Sequence, residues 1–248
     1  VRAFLQALPA FSSSRKHHAE ETEYQLRSPR CQDALQPVRH LTEVLEEGDC
    51  IHSLNGHEYV DLGLPSGLKW ATCNVGASRP EDYGDYYAWG EIQTKSEYTK
   101  DNSLTYGKYT YIYEYISGNR QYDIARAQWG GSWRLPTLAE IKELLELCKW
   151  DCIRVGGYIG GLIGGHYGYR VTGPNGKSIF LPAAGYRRGT SVYDSGMGGY
   201  YRSGTPAEVT GSRSLRCLLK FVFSNLYLDF DYDYDFEYYG CSVRPVSE

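Results

Sequence analysis

Near the C-terminal end of this chain, carboxylates alternate with aromatic rings. In DFDYDYDFEYYG, residues 229–240, Asp229, Asp231, Asp233 and Asp235 take one parity, and Phe230, Tyr232, Tyr234 and Phe236 take the other. D-x-D-x-D is how a calcium-binding EF-hand loop begins, but that loop also needs Gly at its sixth position and Glu at its twelfth. Counting from Asp229 gives Tyr234 and Gly240, and counting from Asp231 gives Phe236 and Ser242. Neither register is a calcium loop. The seven cysteines, at 31, 50, 73, 148, 152, 217 and 241, form no paired CxxC pattern for zinc. Cys148 and Cys152 are spaced by one helical turn, with no second pair or neighbouring His to complete a site, and the odd count leaves at least one thiol free or paired with another chain. Hydrolytic chemistry has no firmer footing. There is no G-x-S-x-G elbow, GGYIGGLIGGHYG lacks the Lys of a phosphate loop, and His57 and His166 stand alone. The many acids show no pairing of one protonated with one ionised carboxyl. The expectation is a chain that is not an enzyme and takes no cofactor.

The elements that carry these residues follow from periodicity. Period two places the four Asp on one face of a strand and the four rings on the other. Asp is depleted in strands and like charges on one face repel, so something other than strand stability selects them. In a regular strand the acids would lie outside, because burying unpaired carboxylates costs far more than burying rings. An irregular loop would expose both sets, and a loop is the expectation for most of 229–239. The 248 residues carry a net charge of -4 and a pI near 5.9, with no long basic run, which argues against a nucleic-acid partner. No apolar run reaches the roughly 18 residues of a membrane helix. VRAFLQALPAF is interrupted by Gln6 and Pro9 and does not read as a signal peptide. The 24 tyrosines provide large contact area with a polar tip, as recognition surfaces do.

Residues 1–54 hold many charges and almost no Gly, and LQPVRHLTEVLEEG has helical spacing, so they read as an N-terminal extension with one short helix. From Asn55 to Glu248 the chain is rich in Gly, Tyr and Trp. EYVDLGLPSGLKWATC reads as a hairpin with strands around Tyr59–Leu62 and Leu68–Cys73. Residues 91–122 read as a long loop or inserted hairpin, with weak alternation in YGKYTYIYEYI. In RLPTLAEIKELLELCKW, Thr137 and Glu140 form a capping box ahead of a helix whose Ile141, Leu144, Leu145 and Cys148 share a face. YRVTGPNGKSIFLP reads as a hairpin about Gly-Pro-Asn-Gly, GMGGYYRSGTP as a Gly-rich loop, and SLRCLLKFVFS as a buried strand.

Four motifs in order, YGDYYAWGE, WGGSWRLPT, GPNGKSIFLPAAGYR and SVRPV, resemble the C-type-lectin-like domains related to formylglycine-generating enzymes. The likeness is greatest to the gut Bacteroidales branch that includes the variable proteins of diversity-generating retroelements, and it covers residues 55–248. It implies an α+β domain of short strands, few helices and long loops. It also implies a non-catalytic receptor-binding or adhesion role, on a cell surface, outside the cell or on a phage particle, toward a protein or glycan ligand on a cell surface. In that branch adenine-directed mutagenesis rewrites C-terminal codons, here about 186–241, and codons of the type AAY cannot become Lys, Glu, Gln, Met or Trp. Within 212–239 only Lys220 and Glu237 break this rule. The other 220 residues hold 37 of these types, a rate that would place between four and five in the window, so the shortfall is small and the kind of residue says more. Tyr, Asp, Phe, Ser, Arg and Asn crowd a region flanked by scaffold motifs. The resemblance assigns ligand contact to Arg188, Tyr193, Asp194, Tyr200, Arg202, Asp229, Asp231, Tyr232, Asp233, Tyr234, Asp235, Phe236, Tyr238 and Tyr239. Trp89, Trp129 and Trp133 fall in the scaffold motifs and Trp70 in the first hairpin, and all four read as core. Two alternatives stand beside this reading. A copper oxidase of the formylglycine-generating type needs two thiolates placed together, and Cys217 and Cys241 lack that local motif. An invariant carbohydrate-binding surface protein would act through stacked Tyr rings, since the calcium motifs of sugar-binding lectins do not occur.

Overall fold

The structure is a computed structural model that describes residues 52–106, 115–155, 158–159, 162–163, 165–206, 216–222, 225–231 and 237–248. In chain order its elements are β1 (His52–Leu54), β2 (His57–Asp61), β3 (Lys69–Ala71), α1 (Ile124–Gln128), α2 (Leu138–Leu147), β4 (Lys149–Val155), β5 (Tyr158–Ile159), β6 (Leu162–Ile163) and β7 (His166–Thr172). There follow β8 (Ser178–Pro182), β9 (Tyr186–Arg188), β10 (Ser191–Tyr193), β11 (Gly198–Pro206), β12 (Arg216–Val222), β13 (Asn225–Asp231) and β14 (Val246–Ser247). Few helices and several small antiparallel sheets make this an α+β protein. The sheets run β1-β2-β3-β14, β4-β7-β8 and β11-β12-β13, with two-stranded ribbons β9-β10 and β5-β6.

Local chemistry explains the regular pieces. Asn55 and Gly56 sit at φ 50° and 82°, the left-handed pair that a two-residue hairpin turn requires between β1 and β2. β1 pairs along its length with β2 and so continues the sheet on the N-terminal side of residue 55. The helix written in LQPVRHLTEVLEEG, and the alternation at 107–114, lie outside the described residues. The Gly-Pro-Asn-Gly turn joins β7 to β8 as expected, with Gly176 at φ 84°. α2 begins at its capping box: the Glu140 amide donates to Thr137 Oγ1 (3.3 Å), and the Thr137 amide donates to Glu140 Oε2 (2.7 Å). Arg134 adds a two-pronged pair to the same carboxylate at 2.7 and 2.9 Å. Ile141, Leu144 and Leu145 turn into the core against Trp70, Tyr169, Leu219 and Phe221.

A second cluster gathers Trp89, Trp129, Trp133, Ile116, Ile124 and Val243. Trp70, Trp89, Trp129 and Trp133 are all buried, as expected. The C-terminal residues 237–248 run between the two clusters. Val246 pairs with Trp70, Val243 enters the tryptophan cluster, and bridges join Cys241 to Tyr87 and Ser242 to Tyr201. Between them lies Arg244, fully buried. Its guanidinium donates to Asn74 Oδ1 (2.9 Å), the carbonyls of Ala71 (3.0 Å) and Thr72 (2.8 Å), and that of Phe180 (2.9 Å).

GMGGYYRSGTP is not a loop. Gly198–Pro206 is strand β11, and residues 198–205 are buried. Its glycines permit close approach rather than turning: a Cβ on Gly199 would lie 2.2 Å from the Phe221 ring, and one on Gly204 would lie 2.8 Å from Ser117 Cβ. In 91–106 and 115–122, by contrast, there is no strand beyond the single Tyr98–Gly189 bridge, and side chains add to the hold on the chain. Glu91 takes the Leu104 amide (2.9 Å) and pairs with Lys95 (2.8 Å).

Burial works to raise the Glu140 carboxyl, but Arg134 and the Thr137 amide together hold it below its ordinary value of 4.5. A depressed carboxylate stabilises the fold above its unfolded value, and this contribution is lost as pH falls through the folded value. Glu140→Gln is therefore expected to lower the unfolding free energy by about 1–2 kcal/mol at pH 7. In urea titrations at decreasing pH, the gap from the parent should close, because the parent loses on acidification what the variant already lacks.

Candidate functional site

The site residues meet on and beneath the β9–β10 ribbon. Arg188, Gly189, Thr190 and Ser191 make its turn, with Gly189 at φ 56°. The ribbon is seated on two other segments through paired backbone bonds: Arg187 exchanges both with Gly240 (2.7 and 2.9 Å), and Gly189 exchanges both with Tyr98 (2.8 and 2.9 Å). The Arg187 guanidinium lies over the Tyr98 ring at 5.4 Å and donates to the carbonyls of Ser96 (3.2 Å) and Thr190 (3.1 Å). Tyr86 donates its hydroxyl to the Ala184 carbonyl (2.6 Å), and burial pushes that phenol up to about 12. This hydroxyl serves as a neutral donor in the frame.

The upper surface is different. All three residues of β10 are exposed, and Val192 and Tyr193 each keep 44% of their area, while Met197 in the following turn keeps 59%. Arg188 and Asp194 are exposed beside them. Tyr193 stacks on Tyr186 (5.5 Å between centroids, 19° between planes), and Tyr186 stacks in turn on Tyr239 (5.3 Å, 18°). Three rings thus lead from the core to solvent. Tyr200 meets the edge of Tyr186 at 4.8 Å, Tyr238 meets Tyr239 at 4.7 Å, and Tyr106 meets Tyr238 at 5.2 Å. Cations lie over the same rings: Arg188 over Tyr239 (5.6 Å), Lys220 over Tyr200 (5.5 Å) and Lys100 over Tyr106 (5.3 Å).

The expected ligand residues therefore divide. Arg188, Tyr193 and Asp194 come together on the exposed ribbon. Tyr200, Arg202, Tyr238 and Tyr239 are buried, so they form a floor and offer no contact surface. The cause is the path of the C-terminal segment, which brings 237–242 in between β9 and residues 86–89. A Cβ on Gly240 would lie 2.8 Å from the Tyr98 ring and 2.9 Å from Tyr86 Cβ, so only glycine fits there. Arg202 fixes the same segment from below, donating from Nε to the Tyr87 carbonyl (3.3 Å) and from Nη2 to that of Tyr239 (2.5 Å).

Asp229 and Asp231 lie at the end of strand β13, while most of the segment expected to be a loop, 232–236, lies outside the described residues. The register pairs Asp229 with Leu218, Phe230 with Cys217 and Asp231 with Arg216. Tyr232, Asp233, Tyr234, Asp235 and Phe236 lie outside the described residues. Sequence reasoning missed Val192, Met197 and the bridging ring Tyr186. The available signal was apolar residues within the turn-rich SVYDSGMGG, where a core has no use for them.

Cys241 is fully buried with its backbone paired to Tyr87, and Cys217 stands opposite Phe230 in the sheet register. Among the described residues, no group of three or more His, Cys, Asp and Glu side chains is placed to hold a metal, and no helix is long and apolar enough to cross a membrane. No family model matches the chain, and neither a curated protein nor a solved structure matches it.

Floor and face predict opposite responses to one substitution. Tyr239→Ser should lower the unfolding free energy by about 3 kcal/mol or more, as loss of a buried aromatic does. Tyr193→Ser should stay within about 0.5 kcal/mol of the parent, as surface changes do. Urea denaturation of the two variants side by side gives both numbers.

Proposed function

We propose that this chain is a non-catalytic ligand-binding protein with a C-type-lectin-like fold, whose C-terminal surface is diversified by a retroelement for adhesion or receptor binding. The observation that carries the proposal is the contrast within about 186–241. Tyr200, Arg202, Tyr238 and Tyr239 are buried and held by tertiary bonds, while Arg188, Val192 and Tyr193 stand exposed above them. A binding surface whose side chains change needs a base that does not depend on them. The 229–236 alternation, which suits neither strand propensity nor a metal loop, fits residues selected for contact, since local rules are broken where function demands it. Exposed tyrosines provide contact area at little conformational cost, and carboxylates add specificity.

The ligand is a protein or glycan on a cell surface, and the chain works at a cell surface, outside the cell or on a phage particle. No metal or cofactor takes part. Copper oxidase chemistry is disfavoured because Cys241 is sealed in the core. The half-exposed Tyr193 ring, beside Arg188 and Asp194, favours one second reading, an invariant carbohydrate-binding protein.

Sequencing the locus in a population of cells tests the proposal. A reverse transcriptase should lie nearby with a near-copy of the 3′ end of the gene, differing where the copy has adenine. Substitutions should fall on exposed positions such as Arg188 and Tyr193 and spare the codons of Tyr200, Arg202, Tyr238 and Tyr239. A locus with neither the enzyme nor the copy contradicts the proposal and leaves the invariant reading in its place.

A further inference from the structure

Among the described residues, two that are not glycine have positive φ, Asn55 and Asp194. Asn55 is explained by the hairpin turn it makes with Gly56. Asp194, at φ 55°, follows an exposed strand, and a left-handed conformation costs a residue with a Cβ on the order of 1 kcal/mol. Three contacts surround it. Its carboxylate Oδ2 accepts the hydroxyl of Tyr200, whose ring is buried. Its carbonyl accepts the amides of Met197 and Gly198, both at 2.9 Å. The adjoining backbone is pressed against residues 183–185: the Gly196 amide donates to the Ala183 carbonyl and the Gly185 amide to the Gly198 carbonyl, both at 2.7 Å. A Cβ on Gly185 would lie 2.0 Å from the Tyr193 carbonyl oxygen. The loop that carries Val192, Tyr193 and Met197 is thus bound to the floor at its base, with its apolar side chains left in solvent.

We propose that Asp194 is a positioning residue: by accepting the Tyr200 hydroxyl it locks the 191–197 loop in one conformation and presents Val192, Tyr193 and Met197 as a preorganised contact surface. This replaces the ligand-contacting role that its sequence position implies. The bond is charge-assisted and joins an exposed carboxylate to a ring in the floor, so the loop takes its shape from a part of the fold that does not touch ligand. Binding then spends less free energy on ordering the loop. Burial and the neighbouring carboxylate both push the Tyr200 phenol far above its ordinary range, so it remains a donor. The proposal rests on the binding reading for its purpose, but the lock itself is measured in the free protein, and the two can fail separately.

Amide hydrogen exchange of Met197 and Gly198, with Val171 in β7 as the reference for global opening, reads the lock directly. Tyr200→Phe removes only the donor and should lower protection of both loop amides roughly tenfold, the effect of losing one hydrogen bond to a charged group. Asp194→Asn keeps an acceptor and tolerates the left-handed backbone, so it should retain most protection. Asp194→Gly frees the backbone but has no acceptor and should lose protection as Tyr200→Phe does. Combining Asp194→Gly with Tyr200→Phe should add nothing further. Full protection in Asp194→Gly would overturn the proposal by showing that backbone tolerance alone is required. Unchanged protection in Tyr200→Phe, additive losses in the pair, or an equal fall at Val171 would overturn it as well.

Discussion

A guanidinium enclosed in protein is tolerable only if its donors are met, and Arg244 meets that condition with acceptors from separate parts of the chain. Asn74, Ala71 and Thr72 lie at and just after β3, and Phe180 lies in β8. An unpaired buried charge costs several kcal/mol, so the arrangement is close to all-or-none: these carbonyls face Arg244 together or the charge cannot stay. The neighbours of Arg244 are thereby placed. Val243 falls into the tryptophan cluster and Val246 into the cluster beneath α2, so one short segment joins both halves of the core. Burial lowers the guanidinium pKa, but from so high a starting point that the group remains charged.

From this segment the order extends outward. Cys241 and Ser242 bridge to Tyr87 and Tyr201, and Gly240 seats the β9–β10 ribbon through Arg187. Arg202 then reaches the Tyr87 and Tyr239 carbonyls from β11. Tyr239, Tyr186 and Tyr193 continue outward as stacked rings, buried at one end and half exposed at the other. Stability is concentrated below the ribbon, and few of the side chains above it are needed to maintain it. In the proposed function that division of labour is the point: residues that contact ligand can change because residues that hold the fold lie elsewhere.

The sequence was most readable where one local motif decides the outcome. Thr137 and Glu140 mark the start of α2, Gly-Pro-Asn-Gly marks the β7–β8 turn, and the spacing of Ile141, Leu144 and Leu145 marks the buried face. It was least readable where distant residues decide. The glycines of GMGGYYRSGTP look like loop residues, since a glycine needed for turning and one needed for close approach read alike until Phe221 and Ser117 are seen beside them. Tyr238 continues an alternating run and Tyr239 closes it, and nothing local tells that Gly240 pairs with Arg187 and buries them. Arg188, Tyr193 and Asp194 were legible as a group, yet the bond from Tyr200 to Asp194 was not, because it depends on how β11 passes beneath the loop. Arg244 stood in the SVRPV motif with no sign that its partners were Asn74 and Phe180.

The central claim is that a floor fixed by Arg244, Arg202 and the buried tyrosines carries a face that tolerates substitution. Saturation mutagenesis of residues 186–248, read out by resistance of the displayed protein to protease, tests it most directly. The account predicts that nearly all substitutions at Arg188, Val192 and Tyr193 remain folded, while nearly all at Gly199, Arg202, Tyr239, Gly240 and Arg244 do not. Broad tolerance at Arg244 and Tyr239, or intolerance at Val192 and Tyr193, would contradict it.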